Sequence, residues 1–269
     1  MVATAHDASP AKAPPPLLEL RGVSKRFGSN VVLDDLSLSI ERHKTTVMLG
    51  PSGTGKSVLL KLVVGLLRPD RGEIRFDGAR TDVLSESGLR PIRRRIGFLF
   101  QLSALFDSMT IAENLEFPLR EHTSMRRAER RGRIAEALWR VDLPGIEGKF
   151  PGELSCGQQK RAALARAIML EPELLLYDEP TTGLDPIRAA GINTLINSLR
   201  EELGTTSIVV THDLESATTV GDRIIMLRRG RLIADGTMDD LRQHDDESVR
   251  AFMEGRAEEP EPTGARGDA

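Results

Sequence analysis

The sequence predicts an α/β fold in which a parallel sheet carries the second half of the chain. In that half, short apolar runs rich in β-formers alternate with helical segments, and this alternation is typical of parallel sheets. A glycine-rich loop also joins the apolar run "TTVML" to the helical run "SVLLKLVVGLL". The length of 269 residues is sufficient to bury a sizeable core.

The predicted elements follow in order along the chain. Alternating, β-rich runs come first, at "LLELRGVSKRF" and "NVVLDDLSLSI". The next elements are the strand "TTVMLG", the helix "SVLLKLVVGLL" and two strand-like runs, "GEIRFDG" and "RRIGFLFQ". Residues 111–141 are predicted to be mostly helical, and "QKRAALARAIML" is a strong helix because it is rich in Ala and Leu. The strand "ELLLYDEP", the helix "IRAAGINTLINSLREEL", the strand "TSIVVTHD", the helix "LESATTVG" and the hairpin "RIIMLRRGRLIADG" complete the body.

Composition and charge limit the classes of function. The 37 basic and 40 acidic residues leave a net charge of −3, which gives no overall attraction to nucleic acid or to an anionic membrane. The single cysteine, Cys156, excludes an internal disulfide and fits a reducing compartment. The N-terminus lacks the features of a secretory signal, and runs such as "LVVGLL" are far shorter than the roughly 20 residues of a membrane helix. We therefore expect a soluble protein, which at a membrane acts as a peripheral subunit.

Domain organisation is predicted from the same composition. Residues 1–16 are rich in Ala and Pro without periodicity, and residues 255–269 have a similar character, so we expect a disordered N-terminal segment and a flexible C-terminal tail. Residues 17–254 form one continuous body without an internal repeat.

The glycine-rich loop matches the phosphate-binding pattern G-x-x-x-x-G-K-[ST] at every specified position. Its glycines allow the backbone to approach phosphate oxygens closely, and the following helix adds its positive N-terminal end. The lysine supplies a charge to the β and γ phosphates, and the final serine offers a hydroxyl to Mg²⁺. The alternative is a strand-to-helix turn with a structural role only. The loop consists of Gly50, Pro51, Ser52, Gly53, Thr54, Gly55, Lys56 and Ser57.

Two adjacent acidic residues stand at the end of the apolar run "LLLYDE", which is predicted to be a buried strand. Asp178 ends the strand in position for the metal, and Glu179 comes next, where a carboxylate can orient and polarise an attacking water. The alternative role for such a pair is to cap a helix or a turn.

A second candidate phosphate-binding helix start lies at "ELSCGQQKRAALARA". One nucleotide rarely needs two such helix starts from the same polypeptide. We therefore expect two chains arranged head to tail, each offering this helix to the ATP of the other.

The motif "LSCGQ" resembles the signature of the ATP-binding-cassette (ABC) ATPases, and the resemblance extends from about residue 17 to residue 255. It implies a P-loop NTPase core with a mixed or parallel sheet, an antiparallel β subdomain and an inserted helical subdomain at about 102–166. It also implies ATP and Mg²⁺ as ligands and an ATP-sandwich dimer.

The resemblance assigns a role to each matching residue. Phe27 in "VSKRFG" matches the aromatic residue that stacks on adenine, and Gln101 in "FLFQ" matches the glutamine that lines the metal and the water. Asp185 in "TGLD" matches the loop that crosses to the partner subunit, and His212 in "VVTHD" matches the histidine that contacts the γ-phosphate. The signature contact with the phosphate is carried by Ser155, Gly157 and Gln158.

Two residues of the signature region depart from the family pattern. Cys156 stands where glycine is usual, and Lys160 stands where glutamine is common. Cys156 is interpreted either as a reactive thiol beside the phosphate of the partner or as a small buried residue that fills space.

The stretches "ALF", "SMT", "FPLREHT", "GPSGTGKSVLLKLVVGLLRP" and "KFPGELS" resemble the ATPases of Mla and Mce lipid-transport systems. That subgroup implies an integral-membrane permease, a secreted or periplasmic MCE-type lipid-binding protein and a phospholipid or other hydrophobic cargo. The chain would then be cytoplasmic, peripheral on the cytoplasmic face of the inner membrane, with no nucleic acid expected. The alternatives are an ABC ATPase of a different transporter class, a soluble cassette ATPase acting on DNA or ribosomes, and a binding module without turnover.

Two segments are predicted to contribute surfaces. Leu102, Leu105, Phe106 and Met109 are expected to contact a permease helix, with packing of the helical subdomain as the alternative. In the arginine-rich segment 124–141, Ile134, Leu138 and Val141 form one apolar face. Its arginines form a solvated face or attract anionic lipid headgroups or nucleic acid, and Trp139 is expected to lie in the core.

Overall fold

The computed structural model describes residues 14–51 and 53–256. The predicted flexible ends therefore lie largely outside the described residues, as does Ser52 of the phosphate loop. Within the described residues, no helix is both long and apolar enough to span a bilayer.

A four-stranded antiparallel sheet is built from the first part of the chain. Its central strand β1 (Leu18–Phe27) pairs with β2 (Asn30–Ile40) on one side and with β4 (Arg71–Phe76) on the other. The short β5 (Ala79–Arg80) closes the edge beside β4. The antiparallel β subdomain implied by the resemblance is thus present.

A six-stranded sheet forms the centre of the molecule, in the order β10-β9-β3-β8-β7-β6. Five neighbouring strands are parallel, and β10 pairs with β9 as an antiparallel hairpin. The fold class predicted from the sequence is therefore confirmed. The strands are β3 (Thr45–Leu49), β6 (Ile96–Leu99), β7 (Leu174–Asp178), β8 (Thr206–Val210), β9 (Arg223–Arg228) and β10 (Arg231–Gly236).

Both faces of the central sheet are buried, as expected for a parallel sheet. Side chains alternate between faces along each strand, so Val47 and Tyr177 join one apolar cluster while Met48 and Leu176 join the other. The antiparallel sheet and the helix after the glycine loop cover one face, and the remaining core helices cover the second.

The helices agree with the predicted ones, with some additions. They are α1 (Lys56–Val63), α2 (Glu86–Arg94), α3 (Ile111–His122), α4 (Arg127–Arg140), α5 (Cys156–Ala167), α6 (Pro186–Leu203), α7 (Leu214–Val220), α8 (Met238–Arg242) and α9 (Glu247–Met253). The sequence analysis missed β5, α2, α8 and α9, because these elements are short and α2 buries only Leu89. Helix α1 is shorter than predicted, since Gly65 follows it with a left-handed φ of 70°.

Helices α3, α4 and α5 pack together within the predicted helical region. Ile134, Leu138 and Val141 are buried there, which confirms the predicted apolar face. Trp139, however, is 69% exposed, so its assignment to the core was wrong. A helix turns by about 100° per residue, and this rotation carries Trp139 away from the face that Leu138 buries.

Arginines of α4 form ion pairs with glutamates of neighbouring segments. Arg130 lies 2.7 Å from Glu116, and Arg133 lies 2.7 Å from Glu171. These contacts favour the interpretation of a solvated, salt-bridged face over a dedicated anion-binding surface.

Candidate active site

The glycine loop joins β3 to α1, and its backbone requires glycine at two positions. Gly50 has a φ of 146° and Gly55 a φ of 97°. A Cβ atom at Gly55 would lie 2.7 Å from the carbonyl oxygen of Val32, and one at Gly50 would lie 2.4 Å from that of Leu227. Gly55 is also the N-cap of α1 and has no side chain to accept hydrogen bonds from the first turn. The amides of a first turn without a side-chain cap are suited to bind an external anion.

The side chain of Lys56 folds back over this loop. It is only 6% exposed, and its Nζ donates to the carbonyl oxygens of Gly50 at 2.6 Å and Pro51 at 2.8 Å. Burial lowers the pKa of Lys56, although the nearby carboxylates of Glu179 and Asp178 act in the opposite direction. A bound anion would supply the counter-charge that this partly desolvated ammonium lacks.

Ser57 and Asp178 meet at the end of β7. The Ser57 hydroxyl donates to Asp178 Oδ1 at 2.8 Å, and burial raises the pKa of the Asp178 carboxyl. One hydroxyl and one carboxylate are hard oxygen ligands of the kind Mg²⁺ takes beside substrate phosphates. The described residues contain no cluster of three or more His, Cys, Asp or Glu able to hold a metal. The donor set therefore fits Mg²⁺ bound together with a nucleotide rather than in an all-protein cage.

Glu179 is held from several directions at once. Its backbone has a left-handed φ of 51°, an unusual conformation for a non-glycine residue and one often found at functional sites. Its amide donates to the carbonyl of Val210 at 2.9 Å. Its carboxylate accepts from Thr182 Oγ1 at 3.0 Å, and both of its oxygens lie 3.0 Å from His212 Nδ1. The glutamate and the histidine thus form a pair oriented by the surrounding loop.

A cleft of about 380 Å³ brings seven of the predicted site residues together. Phe27 lies at its edge with 48% of its surface exposed, available for stacking on a planar base. The cleft is lined by Phe27, Val32, Gly53, Gly55, Lys56, Ser57, Val58, Gln101 and Glu179.

The signature residues lie elsewhere, in a pocket of about 220 Å³ that shares no lining residue with the cleft. Ser155 and Gln158 form the capping box of α5: the Ser155 amide donates to Gln158 Oε1 at 3.0 Å, and Ser155 Oγ accepts from the Gln158 amide. Asp185 caps α6. One copy of the chain therefore does not bring its signature residues to its own phosphate loop.

Cys156 is exposed at the first turn of α5. Within one copy of the chain, Cys156 is therefore not the small buried residue of the alternative interpretation. Its neighbour Gly157 is buried.

The sequence analysis missed three residues of the site. Val32 forms the wall against Gly55, and Thr182 orients the carboxylate of Glu179. The third is Lys160, noted only as a departure from the family pattern, which is 2% exposed and contacts the backbone of Gln101 and Glu179. Only the short distance in sequence between Thr182 and Glu179 offered a signal, because the other contacts join distant segments.

Known proteins resemble this chain over most of its length. The ABC transporter family model matches residues 33–182. The chain is 46% identical over 239 residues to the probable ribonucleotide transport ATP-binding protein mkl of Mycobacterium leprae, covering 89% of this chain and 69% of that protein. It is 42% identical over 244 residues to the intermembrane phospholipid transport system ATP-binding protein MlaF of Haemophilus influenzae, covering 91% of this chain and 92% of that protein.

A solved structure is also similar to this chain. The dimeric ATP-binding cassette MJ0796, in a post-hydrolysis state bound to ADP and Pi, has a TM-score of 0.77 and 36% sequence identity, covering 82% of this chain and 98% of that one. Together with the phosphate loop and the oriented glutamate–histidine pair, these similarities show that the chain belongs to the ATP-binding-cassette transporter ATPases, enzymes that hydrolyse ATP.

Proposed function

We propose that this ATPase drives the transport of a phospholipid or another hydrophobic lipid through a permease of the Mla or Mce type. The observation that carries the motor assignment is the Glu179 carboxylate, held by Thr182 and His212 beside the cleft that contains Lys56. The lipid assignment is supported by the MlaF relatives and by the resemblance of residues 102–123 to that subgroup.

The residues of the cleft have different roles in ATP hydrolysis. The loop from Gly50 to Ser57 binds the phosphates, and Phe27 stacks on adenine. Ser57, Gln101 and Asp178 would hold Mg²⁺, which would neutralise phosphate charge when bound. Glu179 accepts the proton of the attacking water, and His212 contacts the γ-phosphate.

A second copy of the chain completes each site. Ser155, Gly157 and Gln158 lie in a pocket separate from the cleft of their own chain, and the N-terminus of α5 suits contact with a phosphate. In a head-to-tail pair, the signature residues of one copy contact the ATP of the other, and Asp185 lies in the loop that crosses between them.

The loop between β6 and α3 is suited to contact the permease. Leu102 is 89% exposed and Phe106 is 43% exposed, whereas Leu105 and Met109 are partly buried. Exposed apolar residues this close together favour a partner surface over a solvated loop. The permease in turn places the chain at the cytoplasmic face of the inner membrane, with a periplasmic or secreted lipid-binding protein on the far side.

This loop is held in a defined shape. Fully buried Asn114 accepts from the amide of Phe106 at 2.8 Å and donates to its carbonyl at 3.1 Å. Arg166 of α5 donates to the carbonyls of Ser103 at 3.1 Å and Ala104 at 2.8 Å. A preorganised loop loses little conformational entropy when it binds a partner.

The motor assignment is tested by Glu179→Gln, which removes the base and keeps the shape. We expect tight binding of ATP, hydrolysis reduced at least about 100-fold, and a dimer that forms in ATP with Mg²⁺ and persists. Light scattering after size exclusion measures the dimer, and Glu121→Gln on the exposed side of α3 serves as the control. A Glu179→Gln variant that turns over at the wild-type rate would contradict the assignment.

The permease surface is tested by Leu102→Asp. We expect it to prevent co-purification with the permease and to leave the ATPase rate of the chain alone unchanged. Val83→Asp is the matched control, because Val83 is also an exposed apolar residue, at 59%, but lies outside this loop. Equal effects of both variants on permease binding would refute the proposed surface.

The cargo is tested on the complex purified with its permease. We expect phospholipid to co-purify, as measured by mass spectrometry, and lipid vesicles to stimulate ATP hydrolysis by the wild type but not by Glu179→Gln. The mkl relatives are named for ribonucleotide transport, so ribonucleotides are assayed in parallel. Stimulation by ribonucleotides without any lipid effect would overturn the lipid proposal and leave the motor assignment intact.

A further inference from the structure

Lys160 is a buried lysine whose ammonium donates hydrogen bonds to two backbone oxygens. It lies in the second turn of α5 and is 2% exposed. Its Nζ donates to the carbonyl oxygen of Gln101 at 3.3 Å and to that of Glu179 at 3.2 Å. Among the described residues no carboxylate forms a salt bridge with it. Burial lowers the pKa of Lys160, and the charge of the Glu179 carboxylate opposes this shift only in part. Burying an ammonium without a directly paired carboxylate is costly, which argues for a function that compensates for this cost.

The two carbonyls belong to residues proposed to act on the water and the metal. Gln101 follows β6, and Glu179 follows β7. These strands are parallel neighbours, with Leu99 opposite Tyr177. Lys160 therefore joins two adjacent strand ends, where both catalytic side chains leave the sheet.

The contact with Glu179 involves a residue whose backbone conformation is unusual. Because Glu179 has a φ of 51°, the direction of its carbonyl is part of the geometry that aims its carboxylate at His212. The amide of Glu179 is held by Val210 and its carboxylate by Thr182. The carbonyl, the remaining polar group of this residue, accepts from Lys160 Nζ at 3.2 Å and from the Thr182 amide at 3.4 Å.

The other end of the same helix lies in the signature pocket. Ser155 caps α5 five residues before Lys160, and Gly157 lines the pocket proposed to receive the ATP of the partner copy. A continuous helix of 12 residues moves as one body, so a displacement at its first turn also displaces Lys160.

We infer that Lys160 is a positioning residue that couples the two ATP sites of the dimer. Binding of the partner's ATP at the start of α5 sets the position of Lys160, and Lys160 sets the backbone of Gln101 and Glu179 at the ATP of its own chain. This inference rests on the roles proposed above for those two residues and for the head-to-tail dimer.

The test compares Lys160→Met with Lys160→Gln. Methionine has a similar length and no donor, whereas glutamine retains one donating group. Lys149→Met, at an exposed lysine of the same region, is the control. The readouts are the steady-state ATPase kcat and KM, the Hill coefficient for ATP, the ATP affinity without hydrolysis, and the melting temperature, all on the full chain.

We expect Lys160→Met to reduce kcat roughly tenfold or more while ATP affinity stays within about threefold of the wild type. Its Hill coefficient should fall to about 1, from a wild-type value near the limit of 2 for two coupled sites. Lys160→Gln should recover most of kcat and part of the cooperativity. If Lys160→Met does not fold, Lys160→Gln decides the question through a Hill coefficient below that of the wild type.

Three results would overturn the inference. They are a wild-type Hill coefficient of 1, wild-type kcat and cooperativity in both variants, and a loss of kcat that is matched by an equal loss of ATP affinity. Failure of the proposed function is distinguishable, because it requires Glu179→Gln to hydrolyse ATP normally. A stalled Glu179→Gln together with unaffected Lys160 variants rejects only the coupling role.

Discussion

Replacement of Lys56 by methionine separates nucleotide binding from folding. The side chain is 6% exposed, and its ammonium donates to two loop carbonyls, those of Gly50 and Pro51. Methionine preserves the length of the side chain and removes the charge. Two effects on the nucleotide-free protein then oppose each other: two hydrogen bonds are lost, and the cost of desolvating a buried ammonium disappears. We therefore expect the free energy of unfolding to change by no more than about 1 kcal/mol.

The effect on ATP binding is larger, because nothing offsets it. A hydrogen bond from a charged group contributes about 1.5–3 kcal/mol, and Lys56 is placed to make such contacts with both the β and the γ phosphate. The sum of about 3–6 kcal/mol corresponds to a loss of affinity of about 100-fold to 10,000-fold, at about 1.4 kcal/mol per factor of ten.

The pH dependence provides an internal check. Because burial lowers the pKa of Lys56, the folded state binds fewer protons at this site than the unfolded chain. The stability of the wild type relative to Lys56→Met should therefore rise as the pH increases from the lowered pKa toward the ordinary value of 10.5.

The assay is equilibrium binding of a fluorescent ATP analogue, combined with urea unfolding of the same preparations. Lys61→Met is the matched control, because Lys61 lies on the same helix but is exposed. Affinity of Lys56→Met within about threefold of the wild type, in a folded protein, would refute the assignment of Lys56. If Lys56→Met loses binding only because it unfolds, then the lost hydrogen bonds outweigh the relieved desolvation, and the expected small change in the free energy of unfolding is refuted.

Three further predictions follow from single contacts. Gly55→Ala should reduce the free energy of unfolding by about 2 kcal/mol, whereas Gly132→Ala, in open space on α4, should increase it by about 0.5–1 kcal/mol; equal effects in urea unfolding would contradict the strained loop. Ser57→Ala should leave the buried carboxylate of Asp178 without its 2.8 Å partner, lower stability by about 1–3 kcal/mol and raise the Mg²⁺ concentration needed for half-maximal hydrolysis; an unchanged Mg²⁺ requirement would remove the hydroxyl from the metal site. A thiol reagent should block hydrolysis through exposed Cys156, ATP with Mg²⁺ should protect it, and Cys156→Gly should remain active and insensitive; complete labelling by mass with undiminished turnover would place the thiol outside the composite site.

Most of the architecture could be predicted from local patterns. The loop from Gly50 to Ser57 requires glycine because of its own backbone angles, so its sequence is sufficient to identify it. The apolar strand that ends at Asp178 is buried on both faces and therefore reads as a continuous apolar run. Capping residues such as Ser155 and Asp185 mark helix starts within three residues of the groups they bond.

Only the tertiary structure decided the features that depend on contacts between distant segments. Lys160 donates a hydrogen bond to the backbone of Gln101, 59 positions away in sequence. No local sequence pattern predicts this contact. The exposure of Trp139 depends on which face of α4 the rest of the helical region covers, and the separation of Ser155 from the phosphate loop depends on how α5 packs against the sheet. Local backbone preferences therefore determined the motifs and their elements, whereas packing between those elements determined which functional groups lie within reach of one another.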